Sequence, residues 1–148
     1  LKTASLFKTS SFSGCIIGGG NENDTKNISE FGYHFGMAYQ IQDDILDITS
    51  SKNKEGKPVL NDLSEGVITL PLILYLESQN YKKDVIKQFS NNEKDVLLNE
   101  ITRSNSIDRS KEIVNYHYEK ALYSLLSIPE SNYRKALESI ITISRNRI

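Results

Sequence analysis

The sequence predicts an all-α fold. Prolines are sparse, occurring only at Pro58, Pro71 and Pro129. Period-2 alternation, the signature of a half-buried strand, is missing. Apolar residues instead recur at helical spacing between joints built from Gly, Asn and Pro.

Residues 2–17 read as a first helix, ended by Gly18, Gly19 and Gly20, which are poor helix formers and suit a C-terminal cap or loop. The serine-rich stretch 5–13 is interrupted by Leu6, Phe7 and Phe12, so it belongs to ordered structure. Residues 21–27 read as a polar connector. Ser29 is the expected N-cap of a long second helix running to about Thr49. Residues 50–63 read as a loop punctuated by Gly56 and Pro58. Ser64 or Thr69 then opens a third helix through Leu70, Leu74 and Leu76, with Pro71 acceptable in the first turn. Later helices are expected at 81–89, 93–103, 107–126 and 130–147, jointed at Asn91, Asn92, Asn105 and Pro129. No internal repeat is visible.

The 148 residues suit one domain or a piece of a larger one. The chain starts at Leu1 rather than Met, so a piece of a longer protein is expected. A net charge of -1, from 18 basic and 19 acidic residues, supplies no basic field for nucleic acid and no polybasic membrane anchor. No apolar run is long enough to span a bilayer, and no secretory signal pattern occurs. With one cysteine, Cys15, no intrachain disulfide can form. A reducing, cytoplasmic setting is the simplest reading, with Cys15 an inert buried thiol among apolar and small residues.

Ile113, His117, Ala121, Leu122 and Leu125 form an apolar stripe at helical spacing. His117 within it reads as a core or interface residue, and His34 likewise. Tyr116, Tyr118, Tyr123 and Tyr133 read as half-buried packing residues. Two histidines far apart in sequence, with a single cysteine, argue against a zinc site.

The stretch FGYHFGMAYQIQDDILD at 31–47 carries the chemistry. At about 100° per residue, Gly36, Gln40, Asp43, Asp44 and Asp47 share one side, with Ala38, Ile41, Ile45 and Ile48 opposite. The acidic side has no Lys or Arg at i±3 or i±4 to offset it. Asp43 and Asp47 stand i,i+4 and repel by roughly a few tenths of a kcal/mol when solvated. Aspartate is also a mediocre helix former. A solvated acidic face is the plain alternative, and for a bare DDxxD pattern it is the better one. A cation explains more of this stretch, because hard carboxylate oxygens suit Mg2+ and Gln40 supplies a neutral hydrogen-bonding neighbour. Downstream, Lys57 can offer a positive charge to a phosphate, and Asp62 can orient it or a metal-bound water. Lys2 and Thr3 open the first helix, ahead of Ala4, Leu6 and Phe7, with donors suited to a diphosphate oxygen.

Taken together, KTASLF at 2–7, FGYHFGMAYQIQDDILD at 31–47 and GKPVLNDLSEGVITLPLI at 56–73 resemble, in order and spacing, motifs of the trans-polyprenyl diphosphate synthases. That family includes farnesyl, geranylgeranyl and heptaprenyl enzymes. The resemblance covers roughly the first half of the chain. The rest matches only in being helical and in ending on a basic segment, Arg145 and Arg147.

The resemblance implies the C-terminal helices of the isoprenoid synthase fold, class I terpenoid synthase type, with 1–148 as the C-terminal half of one domain. It implies condensation of an allylic diphosphate with isopentenyl diphosphate, with Mg2+ holding the allylic diphosphate between two aspartate-rich motifs. Asp43, Asp44 and Asp47 match the second of these, with Asp43 the expected direct ligand. Lys2 and Lys57 match diphosphate-binding lysines, and Thr3 and Gln40 match residues near the reacting allylic end. The first aspartate-rich motif and the isopentenyl diphosphate pocket have no counterpart here, so the N-terminal half becomes an expected partner and the fragment alone is expected to be inactive. A homodimer or heterodimer is implied for the complete enzyme.

There are departures from the pattern. Val67 follows Glu65 and Gly66 where many members have Lys, and Tyr39 stands where Phe is usual. Product length is not legible. Two alternatives use the same fold: a non-catalytic partner or regulatory subunit, and a class I terpene cyclase. The intact acids and lysines weigh against the first, and the KT, QIQDD and GKP combination against the second.

Overall fold

The computed structural model describes residues 2–49, 67–79 and 94–147. They form six helices: α1 Lys2–Ile17, α2 Glu22–Thr49, α3 Leu70–Ser78, α4 Lys94–Arg103, α5 Ser106–Leu125 and α6 Asn132–Arg145. Among the described residues there is no strand. The expected helix at 81–89, and Ser64, Asn91 and Asn92, lie outside the described residues.

α1 ends as its glycines predict. Gly19 takes φ 76°, Gly20 N donates to Cys15 O at 2.9 Å and Gly19 N to Ile16 O at 3.0 Å. This is a Schellman cap, which needs a residue in the left-handed region at that point.

α2 starts earlier than Ser29. The cap is Asn21, whose Oδ1 accepts from Asp24 N at 2.9 Å, while Asp24 Oδ2 accepts from Asn21 N at 3.4 Å. That reciprocal pair satisfies the first-turn donors, so the supposed connector is already helical from Glu22. Ser29 sits inside the helix, buried, and donates to Thr25 O at 2.7 Å.

The third helix opens at Thr69, one of the two starts the sequence offers, whereas the last helix is shorter than expected at both ends. Thr69, not side-chain bonded, precedes α3, and Pro71 occupies its first turn. α6 opens at Asn132 because Ser131, extended at φ -158°, accepts from Arg134 N at 3.1 Å.

The described chain divides into two compact units, Leu1–Gln40 with Ile113–Ile148, and Ile41–Glu112. The first unit is cored by aromatic packing. Phe35 meets Phe7 edge-on at 5.2 Å, stacks with Phe31 at 5.9 Å and lies 6.2 Å from Tyr118. Val114, Tyr118, Ala121 and Leu125 are the buried line of α5, with Ile141 buried on α6. The stripe therefore runs through Tyr118 rather than Ile113, His117 and Leu122, which are half-buried at its edge. Tyr118 is 0% exposed, whereas Tyr116, Tyr123 and Tyr133 are open to solvent, Tyr133 at 86%. Of the four tyrosines expected to be half-buried, none is.

Cys15 is half-buried rather than enclosed, and its Sγ accepts from Thr25 Oγ1 at 3.6 Å. His34 and His117, 83 residues apart, meet with Nδ1 atoms 2.8 Å from each other. Their distance in sequence is thus no measure of their distance in space.

The second unit is aliphatic. Ile41, Ile45 and Ile48 of α2 are buried there, as are Leu72 and Leu74 of α3, Leu97, Leu98 and Ile101 of α4, and Ile107 of α5. Each such side chain contributes about 1.5–3 kcal/mol on burial. Tyr75 donates its hydroxyl to Glu100 Oε2 at 2.6 Å, tying α3 to α4. Burial first, and the Glu100 carboxylate second, push the Tyr75 phenol up to about 12.

Candidate functional site

The site grows from a close crossing of α1 and α2. A Cβ added at Gly36 would lie 2.8 Å from Ala4 Cα, and one at Gly32 would lie 2.6 Å from Phe7 O. Two glycines four apart remove the side chains that would hold the helices apart. Gly36 therefore faces α1, not an open front, and its place on the acidic side of α2 is corrected accordingly.

The crossing brings Thr3 to Gln40: Thr3 Oγ1 donates to Gln40 Oε1 at 2.6 Å, across 37 residues. Lys2, one residue earlier, is exposed at the start of α1. The sequence-predicted polar residues Lys2, Thr3 and Gln40 thus stand together in the first unit.

Three residues after Gln40, on the same continuous helix, come the acids. Asp43 and Asp47 are half-buried and share a face one turn apart, while Asp44 is buried at 9% exposure. At about 100° per residue Asp44 is turned a quadrant away from Asp43. The isoleucine back is buried as the periodicity predicts. Lys57 and Asp62 lie outside the described residues.

Among the described residues no three His, Cys, Asp or Glu side chains converge on a metal position. The donor set still fits a hard dication. Mg2+ is commonly held by one or two carboxylates, with waters and substrate phosphates completing its shell, rather than by an all-protein cage.

Sequence reasoning did not assign partners to the basic end of the chain. The Arg147 guanidinium lies 4.8 Å from the Tyr39 ring centroid and that of Arg145 5.6 Å from Tyr118. Arg145 also pairs with Glu119. The signal in the sequence was the tyrosine itself, since a flat electron-rich face is a natural seat for guanidinium. Among the described residues no helix is long and apolar enough to cross a membrane.

The family model for polyprenyl synthetase matches residues 1–104, and the chain belongs to that family. It is 34% identical to heptaprenyl diphosphate synthase component 2 of Bacillus subtilis (strain 168), covering 94% of this chain and 41% of that protein. It is 38% identical to geranylgeranyl diphosphate synthase of Sulfolobus acidocaldarius, over 84% of this chain and 39% of that one. Among solved structures, geranylgeranyl pyrophosphate synthetase from Pyrococcus horikoshii superposes with a TM-score of 0.82 at 32% identity, covering 99% of this chain and 46% of that one. The apo form of an Arabidopsis medium/long-chain length prenyl pyrophosphate synthase gives 0.85 at 29%, covering 99% and 52%. The chain therefore spans half the length, or less, of the curated relatives it matches.

Proposed function

We propose that the chain is the C-terminal half of a trans-prenyl diphosphate synthase, and that it supplies one of two walls that hold an allylic diphosphate. The observation that carries this reading is the 2.6 Å bond from Thr3 to Gln40, which joins two separate motifs on neighbouring helices. In this reading Asp43 and Asp47, with Asp44 on their flank, hold Mg2+ on the diphosphate. When bound, the metal neutralises the charge that develops on the leaving pyrophosphate.

Lys2 and Lys57 bind diphosphate oxygens as point charges. Thr3 orients Gln40 so that the amide is set beside the allylic end, where its dipole offsets developing charge. The acceptor is isopentenyl diphosphate, held by the other half of the enzyme. That half is the first partner, and a dimer of complete chains, with itself or a second subunit, is the assembly. A non-catalytic subunit has no need of repelling carboxylates on one helix face, which favours the catalytic reading.

Calorimetry tests the site directly. Mg2+ is expected to bind weakly alone and more tightly with pyrophosphate present, because the phosphate completes the octahedron. Equal affinity in both titrations would sink the diphosphate site.

A further inference from the structure

The histidine pair of the first unit lies apart from the residues used above. His34 on α2 and His117 on α5 are the only two histidines of the chain. Their rings meet with centroids 5.1 Å apart and Nδ1 atoms at 2.8 Å. Tyr33 meets His34 edge-on at 5.2 Å and Tyr116 meets His117 edge-on at 5.4 Å, which restricts both imidazoles to this orientation. The site is reachable: the His34 side chain is 16% exposed, and His117 is half-buried.

We propose that His34 and His117 form a two-nitrogen chelate for a divalent transition cation of the copper or nickel type. Two metal–nitrogen bonds of about 2.0–2.1 Å meeting at a right angle set their nitrogens about 2.9 Å apart, and a tetrahedral angle about 3.3 Å. The 2.8 Å separation is the hydrogen-bond distance of the metal-free pair, and it already lies close to the right-angled bite that tetragonal Cu2+ and Ni2+ take.

The tautomers are suited to this. Glu30 Oε2 lies 3.8 Å from His34 Nε2 and favours a proton on that nitrogen, which leaves Nδ1 as a lone pair. His117 then donates from Nδ1 in the metal-free pair. On metal binding that proton passes through solvent to its own Nε2, so the neutral pair releases no net proton. Burial, and for His117 also its neighbour His34, lowers both imidazoles from their ordinary value, which favours the neutral pair. Lys120 works against added positive charge at His34. Lys120 also stands 5.6 Å over Tyr116, and Lys8 of α1 stands 5.7 Å over Tyr33. Glu30 is the charge that offsets them.

This chemistry differs from that of the aspartates. Soft-leaning imidazole nitrogens do not hold Mg2+, which takes oxygen donors. A cation bridging the pair would clamp α2 to α5 within the first unit.

The test uses the untagged 148-residue chain, stripped with chelator and titrated with Ni2+ or Cu2+ alone. Imidazole NMR signals are read at each step, and the single-histidine variants assign the two sets to His34 and His117. Both sets are expected to broaden together, saturating at one ion per chain, with Cu2+ binding tighter than Ni2+ and Mg2+ leaving both unchanged. His34→Gln and His117→Gln should each weaken binding by at least about tenfold, while Asp43→Asn keeps it. No binding, or saturation above one ion per chain, overturns the chelate. So does a folded single variant that binds like wild type. Absence of binding by the wild-type chain overturns the chelate even if a variant fails to fold.

Discussion

Gly36→Ala isolates the helix crossing on which the Thr3–Gln40 pair depends. The added Cβ would stand 2.8 Å from Ala4 Cα, a backbone atom that cannot swing aside. Ordinary carbon contacts are about 3.5–4.0 Å, so α1 must withdraw by about 1 Å. Overpacking of this kind costs about 1–3 kcal/mol. The same shift stretches the 2.6 Å Thr3–Gln40 bond out of range, a loss of about 1 kcal/mol. Alanine's better helix propensity returns about 1 kcal/mol. The net expectation is about 1–3 kcal/mol of destabilisation, or a Tm lower by roughly 2–12 °C for a chain of this size. Gly14→Ala is the control, since a Cβ there meets nothing within 4 Å and should gain up to about 1 kcal/mol. Thermal unfolding of both variants by far-UV circular dichroism reads the difference. If Gly36→Ala is as stable as wild type, or rises with Gly14→Ala, the close-crossing argument is wrong.

In the complete enzyme, Asp43→Asn should cut turnover severely while leaving the melting curve intact, since it removes the proposed metal-ligating carboxylate at nearly unchanged shape; wild-type turnover would refute the assignment. Lys57→Ala should act mainly on the KM for the allylic substrate, and an effect confined to kcat would contradict its binding role. The 148-residue chain alone should form no product from radiolabelled isopentenyl diphosphate and allylic primers, because lost positioning alone is worth about 7–11 kcal/mol of barrier; adding the N-terminal half should restore some activity, and turnover near that of a full synthase by the chain alone would defeat the half-site reading. Finally, His117 is pushed down to about 4 by burial, so the unfolded chain binds the extra proton first as pH falls. Stability should therefore be full above about 6.5 and decline toward pH 4, and denaturant titrations across that window should show a shallower slope in His117→Gln; an unchanged slope would remove the pair from the pH dependence.

The residues alone determined the helical class, the α1 boundaries and the burial of Ala38, Ile41, Ile45 and Ile48. These follow from period and from glycine chemistry, which act over a few residues and need no tertiary partner. The three motifs also sufficed to place the chain in its family, because their order and spacing are properties of the sequence itself. The start of α2 was missed for a local reason: the Asn21–Asp24 capping pair lay in a stretch whose polarity imitates a connector.

What remained was decided by which helices meet. Periodicity put Gly36 on the acidic side of α2, yet that side is shared between α1 at its start and the aspartates further on. Tyr118 rather than its tyrosine neighbours was buried because of the angle at which α5 presents its face to Phe35. The histidine contact was invisible for the same reason. A helix pattern tells which residues share a face, but only the packed pair of helices tells what that face meets.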